Sequence, residues 1–411
     1  MAEPFKNVFN LSLISHMASN FAKHHTDFCT TTFINLASNN IENLELKARS
    51  NQIVEAMQQT LPKTLLMSAE VILASLAAPK NSSDTVLFSQ DFESEQQSIE
   101  ELGIHGWAIM PIADFIGIQA LEDIANTQMK SAKNEEKNSE ENNAEKQRII
   151  ELAMHLFHAV TKRFSAEFGI RYLLNQYPKQ TLEILATWVT DPCQHVRRLI
   201  SEGTRPRLPW GMQLPKFIDN PKLITPLLES LKDDKEEYVR RSVANNLNDI
   251  AKDNPALVND ITSKWLVGAN KNRERLIRHA CRTLIKDSNK TTLALLGYAQ
   301  ANIQDVKFVL STEQLNFGET LELTLSFSSA NCSAKTTKNS AERESKQNLI
   351  IDYVVHHQKA NGKTSPKTFK WKTCQLHNNQ SMTISKKHSI KKITTRVYYP
   401  GKHLIEVIIN G

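Results

Sequence analysis

Three segments near the middle of the chain set the fold: TLEILATWVTDPCQHVRRLISEG (residues 181–203), ITPLLESLKDDKEEYVRRSVANN (224–246) and ITSKWLVGANKNRERLIRHACRT (261–283). They align as repeats. The basic pair Arg197–Arg198 returns 43 residues later as Arg240–Arg241, and after a further 38 as Arg278–His279. Each unit reads as an apolar helix, a short Asp/Asn/Lys turn and a second helix. Helix pairs recurring at about 40 residues mark HEAT-like solenoids. No such unit buries its apolar face alone, and stacking creates a long concave surface.

The second helix can be placed on a wheel. At 100° per residue, Val239, Val243, Leu247 and Ile250 fall along one line and form the buried stripe. Arg241, Asn245 and Asn248 point the other way. The matching positions are Arg198 and Glu202 in the preceding unit, and His279, Thr283 and Lys286 in the following one. Two readings are open: a polar, basic trough along the concave side, or a solvated outer face.

Helical periodicity also runs through Val8–Phe33 and Ala48–Leu76, and from Arg148 to about Ala301. Residues 130–147 (KSAKNEEKNSEENNAEKQ) hold no large apolar side chain and read as a solvated helix extension or a disordered insertion. Beyond Ala301 the period changes to two. GETLELTLSF (318–327), LIIDYVVHH (349–357), KTFKWKT (367–373), TRVYYPG (395–401) and HLIEVIING (403–411) alternate between turn signals such as Asn361-Gly362. Seven or so short strands suggest an immunoglobulin-like sandwich, with a tyrosine corner at Tyr398–His403 and a polar loop over 330–347. The expected fold is mostly α: a HEAT-like solenoid over 1–301 and an all-β Ig-like domain over 303–411.

The chain of 411 residues has ordinary soluble composition, 40% apolar and 23% charged. No apolar run is long enough for a membrane span, and the start (MAEPFKNVFN) lacks a secretory pattern, so a cytoplasmic protein is expected. Five isolated Cys with no CxxC or HExxH argue against a metal site and a disulfide framework. GxxxxGK[ST] and GxGxxG loops are absent, so no nucleotide cofactor is expected. No heptads suggest self-association, which favours a monomer. The net charge of +6 is uneven: +8 over 303–411 and +7 over 195–290, leaving −9 on the remainder. Two basic blocks on an otherwise acidic chain point to a polyanion partner.

The densest irregularity is SEGTRPRLPWG (201–211). Two Pro and two Gly end the helix after Glu202 and turn the chain out of the repeat. Arg205, Arg207 and Trp210 sit on that turn. Either the Trp anchors an inter-repeat elbow in the core, or the Arg residues meet phosphates and the Trp meets a sugar or base face. Glu167, Glu202 and Asp249 follow at steps of 35 and 47, on helices of consecutive units. Each reads alone as a carboxylate paired to a nearby Arg, or together as an acidic set on neighbouring rungs. Asp114 is a fourth acid of the same kind.

RRLISEGTRPRLPWGM (197–212), YVRRSVANNLNDIAKDNP (238–255), FGIRYLL (168–174) and EPFKNVFN (3–10) are similar to the AlkC branch of the AlkC/AlkD bacterial DNA-alkylation-repair glycosylases. The resemblance covers the helical region. It extends to the C-terminal strands, because some members carry an appended Ig-like domain; the 130–147 insertion is particular to this chain. It implies a monofunctional, cofactor-free DNA glycosylase acting on double-stranded DNA. Such an enzyme hydrolyses the N-glycosidic bond of cationic N-alkylated bases, notably 3-methyladenine and 3-methylcytosine, without base flipping. It implies Glu167, Glu202 and Asp249 as catalytic carboxylates and Trp210 as the lesion and deoxyribose contact. Phosphate binding is expected from Arg171, Arg198, Arg205, Arg207, Arg241, Asn245, His279, Arg282 and Lys286. The alternative is a non-catalytic HEAT-repeat scaffold binding nucleic acid or an acidic protein. Carboxylates beside the Arg residues favour catalysis, since they would oppose a polyanion.

Overall fold

The computed structural model describes residues 5–79, 103–133, 139–330, 346–394 and 396–411. Its helices are α1 (Leu11–His24), α2 (Thr30–Ser38), α3 (Leu46–Thr60), α4 (Leu65–Ser75), α5 (Ile109–Lys133), α6 (Ser139–Thr161), α7 (Ile170–Gln176) and α8 (Pro178–Thr187). They continue as α9 (Gln194–Gly203), α10 (Pro215–Asp219), α11 (Thr225–Leu231), α12 (Glu237–Ile250), α13 (Pro255–Leu266), α14 (Lys271–Ala280), α15 (Arg282–Lys286) and α16 (Lys290–Leu295). Residues 130–133 and 139–147 extend α5 and α6, with 140–147 mostly exposed or half-buried; 134–138 lie outside the described residues, as does most of the polar loop at 330–347. No described helix is long and apolar enough to cross a membrane.

The chain forms two compact units, Met1–Asn254 with Gly268–Ala280, and Pro255–Val267 with Cys281–Gly411. The change from helix to strand falls between Leu295 and Ile303, so the compact division does not coincide with it. In the second unit Leu293 and Tyr298 pack with Ile350, and the Asn410 amide donates to the Ala299 carbonyl.

The wheel reading of α12 holds. Val239, Val243 and Leu247 are fully buried and Ile250 nearly so. Each such side chain contributes roughly 1.5–3 kcal/mol relative to exposure. Asn248 departs from it: this residue is also buried, although Arg241 is exposed. The repeated basic pair divides its labour. Asp191 accepts from the Cys193 N–H and Asp234 from the Glu236 N–H, the same Asx turn one repeat apart. Arg197 clamps the first turn through the Asp191 and Pro192 carbonyls, and Arg240 clamps the second through those of Asp234 and Lys235. Arg197 also binds Asp234 in the next unit. In these two pairs the first Arg, Arg197 and Arg240, is therefore structural.

The strands are β1 (Ile303–Leu310), β2 (Thr320–Ser329), β3 (Lys346–Gln358), β4 (Thr364–His377), β5 (Ser381–Ser389) and β6 (Leu404–Ile409). They form two antiparallel sheets, β1-β2-β5 and β4-β3-β6, around Leu323, Leu325, Leu349, Ile351 and Tyr353. The sandwich is Ig-like, with two corrections to the strand list. TRVYYPG is not a strand: its described residues make only an Ile393–Arg396 bridge, Val397 and Tyr399 face solvent, and Pro400 offers no donor. β1 and β5 lack clean alternation and were not expected. β1 bulges between Gln304 and Lys307, with Asp305 at φ +55°. β5 turns Lys386 and His388 to the side of Ile384.

Two histidines make the sandwich acid-sensitive. His357 and His388 are buried, and each keeps a buried ring nitrogen without a partner. Burial, aided by the neighbouring Arg396 charge, pushes the His357 imidazole down to about 4, and burial lowers His388 as well. The unfolded chain then binds more protons than the fold as pH drops below about 6.5 towards 4. Stability is thus unaffected above that window and lost through it. Thermal melts between pH 7.5 and 5 are expected to show this loss, and His357→Gln to lessen it. A parental melting temperature independent of pH over that range would refute the assignment.

Candidate active site

The site is built where α9 ends. Thr204 caps α9 by donating to the Ile200 carbonyl, and the Asn246 amide donates to Ser201 O and Thr204 Oγ1. The chain then turns through Pro206 and Pro209, closed by Leu214 N–H on the Pro206 carbonyl. Arg171 fixes this elbow from α7. It is fully buried, and its guanidinium donates to the carbonyls of Gly203, Arg205 and Met212. Gly169, before α7, lies on the Ala113 carbonyl of α5, only 2.1 Å from where a Cβ would stand, so a larger residue would push α7 off α5.

The three acids meet around two guanidiniums. Glu202 is buried. Its Oε1 accepts from Arg205 at 2.7 Å, and Oε2 accepts from the Ser242 hydroxyl at 2.7 Å. The Arg205 Nε donates to Asp249 Oδ2 at 2.8 Å, and Lys252 donates to Asp249 Oδ1 at 2.8 Å. Arg198 lies between Glu167 at 3.6 Å and Glu202 at 3.8 Å, bonds Ser165, and faces the Tyr238 ring at 5.1 Å. Glu167 sits on the turn before α7 rather than on a helix, and its Oε2 is buried without a hydrogen-bond partner.

The two glutamates are driven apart. Burial pushes the Glu167 carboxyl up; Arg198 opposes the rise and the Glu202 charge adds to it. Burial acts on Glu202 too, but Arg198, Arg205 and the Ser242 hydroxyl outweigh it and hold that carboxyl below its ordinary range. Such splitting lets one carboxylate stay charged while the other takes up a proton more readily. Arg198 remains protonated because Glu167, Tyr238 and Glu202 outweigh its burial.

Trp210 stands at the tip of the elbow. It is 69% exposed, so it does not anchor the turn in the core. Its backbone is left-handed at φ +60°, which for a bulky residue marks strain held by its surroundings. Lys47 donates to its carbonyl at 3.0 Å, and the Phe5 ring lies 6.2 Å away, tilted by 40°. Neither Lys47 nor Phe5 stands out in the sequence, although Phe5 falls within the EPFKNVFN motif. Ser242 follows the repeated basic pair directly.

The expected phosphate contacts divide. Arg171 must be withdrawn: a fully buried guanidinium bonded to backbone cannot reach a duplex. Arg205 is likewise buried between Glu202 and Asp249, and Arg198 is held by acids. Arg207 pairs with Asp253 nearer the surface. Arg241 and His279 line a cleft of about 220 Å³ between α12 and α14 with Arg240 and Arg275, and His279 bonds Asn245 at 3.0 Å. Arg282 and Lys286 belong to the second compact unit, the first half-buried and the second exposed.

A HEAT-like repeat with this elbow and an appended Ig-like domain defines a protein of the AlkC type. The chain belongs to the family of the "Uncharacterized protein YhaZ" of Bacillus subtilis (strain 168), with which it is 31% identical over 409 residues, 99% of this chain and 96% of that one. The family model described as "Uncharacterised protein YhaZ, C-terminal Ig-like domain" matches residues 304–411. A solved structure, Pseudomonas fluorescens alkylpurine DNA glycosylase AlkC bound to DNA containing an abasic site analog, is similar with a TM-score of 0.74 and 26% identity, over 99% of this chain and 96% of that one.

Proposed function

We propose that the protein is a monofunctional DNA glycosylase that excises cationic N-alkylated bases, 3-methyladenine and 3-methylcytosine among them, from double-stranded DNA. The observation that carries this reading is the convergence of Glu167, Glu202 and Asp249 around Arg198 and Arg205, where Arg205 belongs to the same elbow that exposes Trp210. N3-alkylation makes the base a cation that leaves as a neutral molecule, so its departure needs little acid assistance. Positive charge develops on the deoxyribose, as in glycoside hydrolysis. The Glu202 and Asp249 side chains stabilise that charge. Glu167, with its raised affinity for protons, takes a proton from the attacking water as the new C1′–O bond forms. The Trp210 face contacts the sugar and the cationic base. Its exposure on an open elbow supports excision of the base from within the duplex rather than in a pocket. The test is release of free methylated base from alkylated duplex. No release by the intact protein would favour the scaffold reading.

Arg241 and His279 are proposed as phosphate contacts, and the protein as a cytoplasmic, nucleoid-associated monomer needing no metal or cofactor. Residues 1–301 are proposed as the glycosylase part and 303–411 as an Ig-like part that adds phosphate contacts. Truncation at 302 would strip Ile350 from Leu293 and Tyr298, so charge removal is the cleaner test. Lys387, Lys391 and Lys392 are exposed. Each neutralised phosphate contributes about −0.9 to the slope of log K against log salt. Changing all three to Gln is expected to flatten the slope by about 1–3 and leave the excised base unchanged, since phosphate contacts carry no lesion information. An unchanged slope on an undamaged oligonucleotide would instead favour a protein-docking role.

A further inference from the structure

The geometry points to Lys47 as a positioning residue for Trp210, acting through the backbone of the elbow. This inference rests on the proposed role of Trp210. Three observations support it. The Lys47 ammonium donates to the Trp210 carbonyl at 3.0 Å across 163 residues of sequence. The residue it grips has a left-handed backbone at φ +60° although it is a bulky tryptophan, a conformation that relaxes unless something outside the turn holds it. The elbow's own bonds stop short of Trp210: Gly211 N–H returns to Leu208, Leu214 N–H to Pro206, and Arg171 holds Gly203, Arg205 and Met212.

Asp114, on α5, is buried, and the Lys47 charge faces it. Burial pushes the Asp114 carboxyl up to about 7, with Lys47 opposing; Tyr172, from α7, is the other titratable group beside it. On the ring side, Phe5 bridges Trp210 to Trp107, edge-on to the latter at 5.0 Å. The indole is therefore aimed by N-terminal elements. The carboxylates it serves come from the turn before α7 and from α9 and α12. Lys47 joins the two, and it is exposed, so its removal leaves little buried surface unfilled.

The test compares the parent, Lys47→Met and Lys47→Arg as full-length protein. Acrylamide quenching of Trp210 is isolated by subtracting the same protein carrying Trp210→Phe. Single-turnover and steady-state release of 3-methyladenine are measured in parallel. Lys47→Met is expected to change the Trp210 quenching constant by about 1.5-fold or more, and to lower kcat by roughly 10-fold, within the ~10²-fold that a misplacement of about 1 Å can cost. KM should stay within about 2-fold and the melting temperature should hold. Lys47→Arg, which keeps a donor for the carbonyl, is expected to restore most of both. An unchanged quenching constant in Lys47→Met overturns the inference, whatever the rate. So does a defect confined to KM and the salt slope, which would make Lys47 a phosphate contact. If the parent itself releases no base, the glycosylase reading fails, and quenching alone still decides whether Lys47 positions the indole.

Discussion

A Glu167→Gln protein is expected to release 3-methyladenine at least about 10²-fold more slowly than the parent while melting at the same temperature or slightly higher. The rate loss follows from removing a general base, whose contribution is typically 10²–10⁴-fold. The stability gain follows from the sign of the carboxyl's shift. Its folded affinity for protons is raised, so the ionised group costs stability as pH rises above the ordinary carboxylate range, and a neutral amide removes that cost. Glu202→Gln behaves differently. Its carboxylate compensates Arg198 and Arg205 and accepts from Ser242, so losing it leaves two buried guanidiniums short of a partner. That variant should lose about 10²–10³ in rate and several °C in melting temperature together. Asp249→Asn, which leaves Arg205 Nε and Lys252 facing a neutral amide, should follow Glu202→Gln. Binding to intact duplex should be unchanged or tighter in all three, because negative charge beside a polyanion has been removed. If all three variants released the base at the parental rate, the site assignment would be wrong.

Arg171→Met should be the most damaging substitution for the elbow. It strips three carbonyls, those of Gly203, Arg205 and Met212, of their common donor. Leaving buried acceptors unmade costs about 1–3 kcal/mol each, so a loss of at least about 3 kcal/mol and about 6 °C is expected. Arg171→Lys should recover little, because one ammonium cannot span three acceptors in the planar geometry of the fork. Base release should fall as well, since Arg205 and Trp210 ride on the turn that Arg171 holds. Differential scanning calorimetry paired with single-turnover release checks both. Parental stability in Arg171→Met would show that the carbonyls find other donors.

The sequence of this protein determines its helices and their buried faces, because helical period is a local property. Val239, Val243, Leu247 and Ile250 recur at the spacing that puts them on one side, and that side is the core. It likewise determines the elbow, since Pro206 and Pro209 cannot continue a helix, and the Ig-like character of the last hundred residues, where apolar side chains alternate in β2, although β3 is buried over seven consecutive residues. β1 and β5 escape it because a bulge and inward polar side chains break the alternation. It also brings Glu202 and Asp249 onto neighbouring helices, since a repeat step fixes which turns stack.

What the tertiary structure decides is where long side chains end. Arg171, Arg198 and Arg205 look alike in sequence, yet one holds a backbone turn, one lies between two glutamates and one bridges two acids. A guanidinium reaches far enough to choose among many acceptors, and only the packed neighbours select one. The same holds for Glu167, which leaves the helix for a turn, and for Lys47, whose partner lies 163 residues away. The left-handed backbone that exposes Trp210 is likewise a product of contacts made across the fold, which no local propensity of a Pro-Trp-Gly stretch specifies.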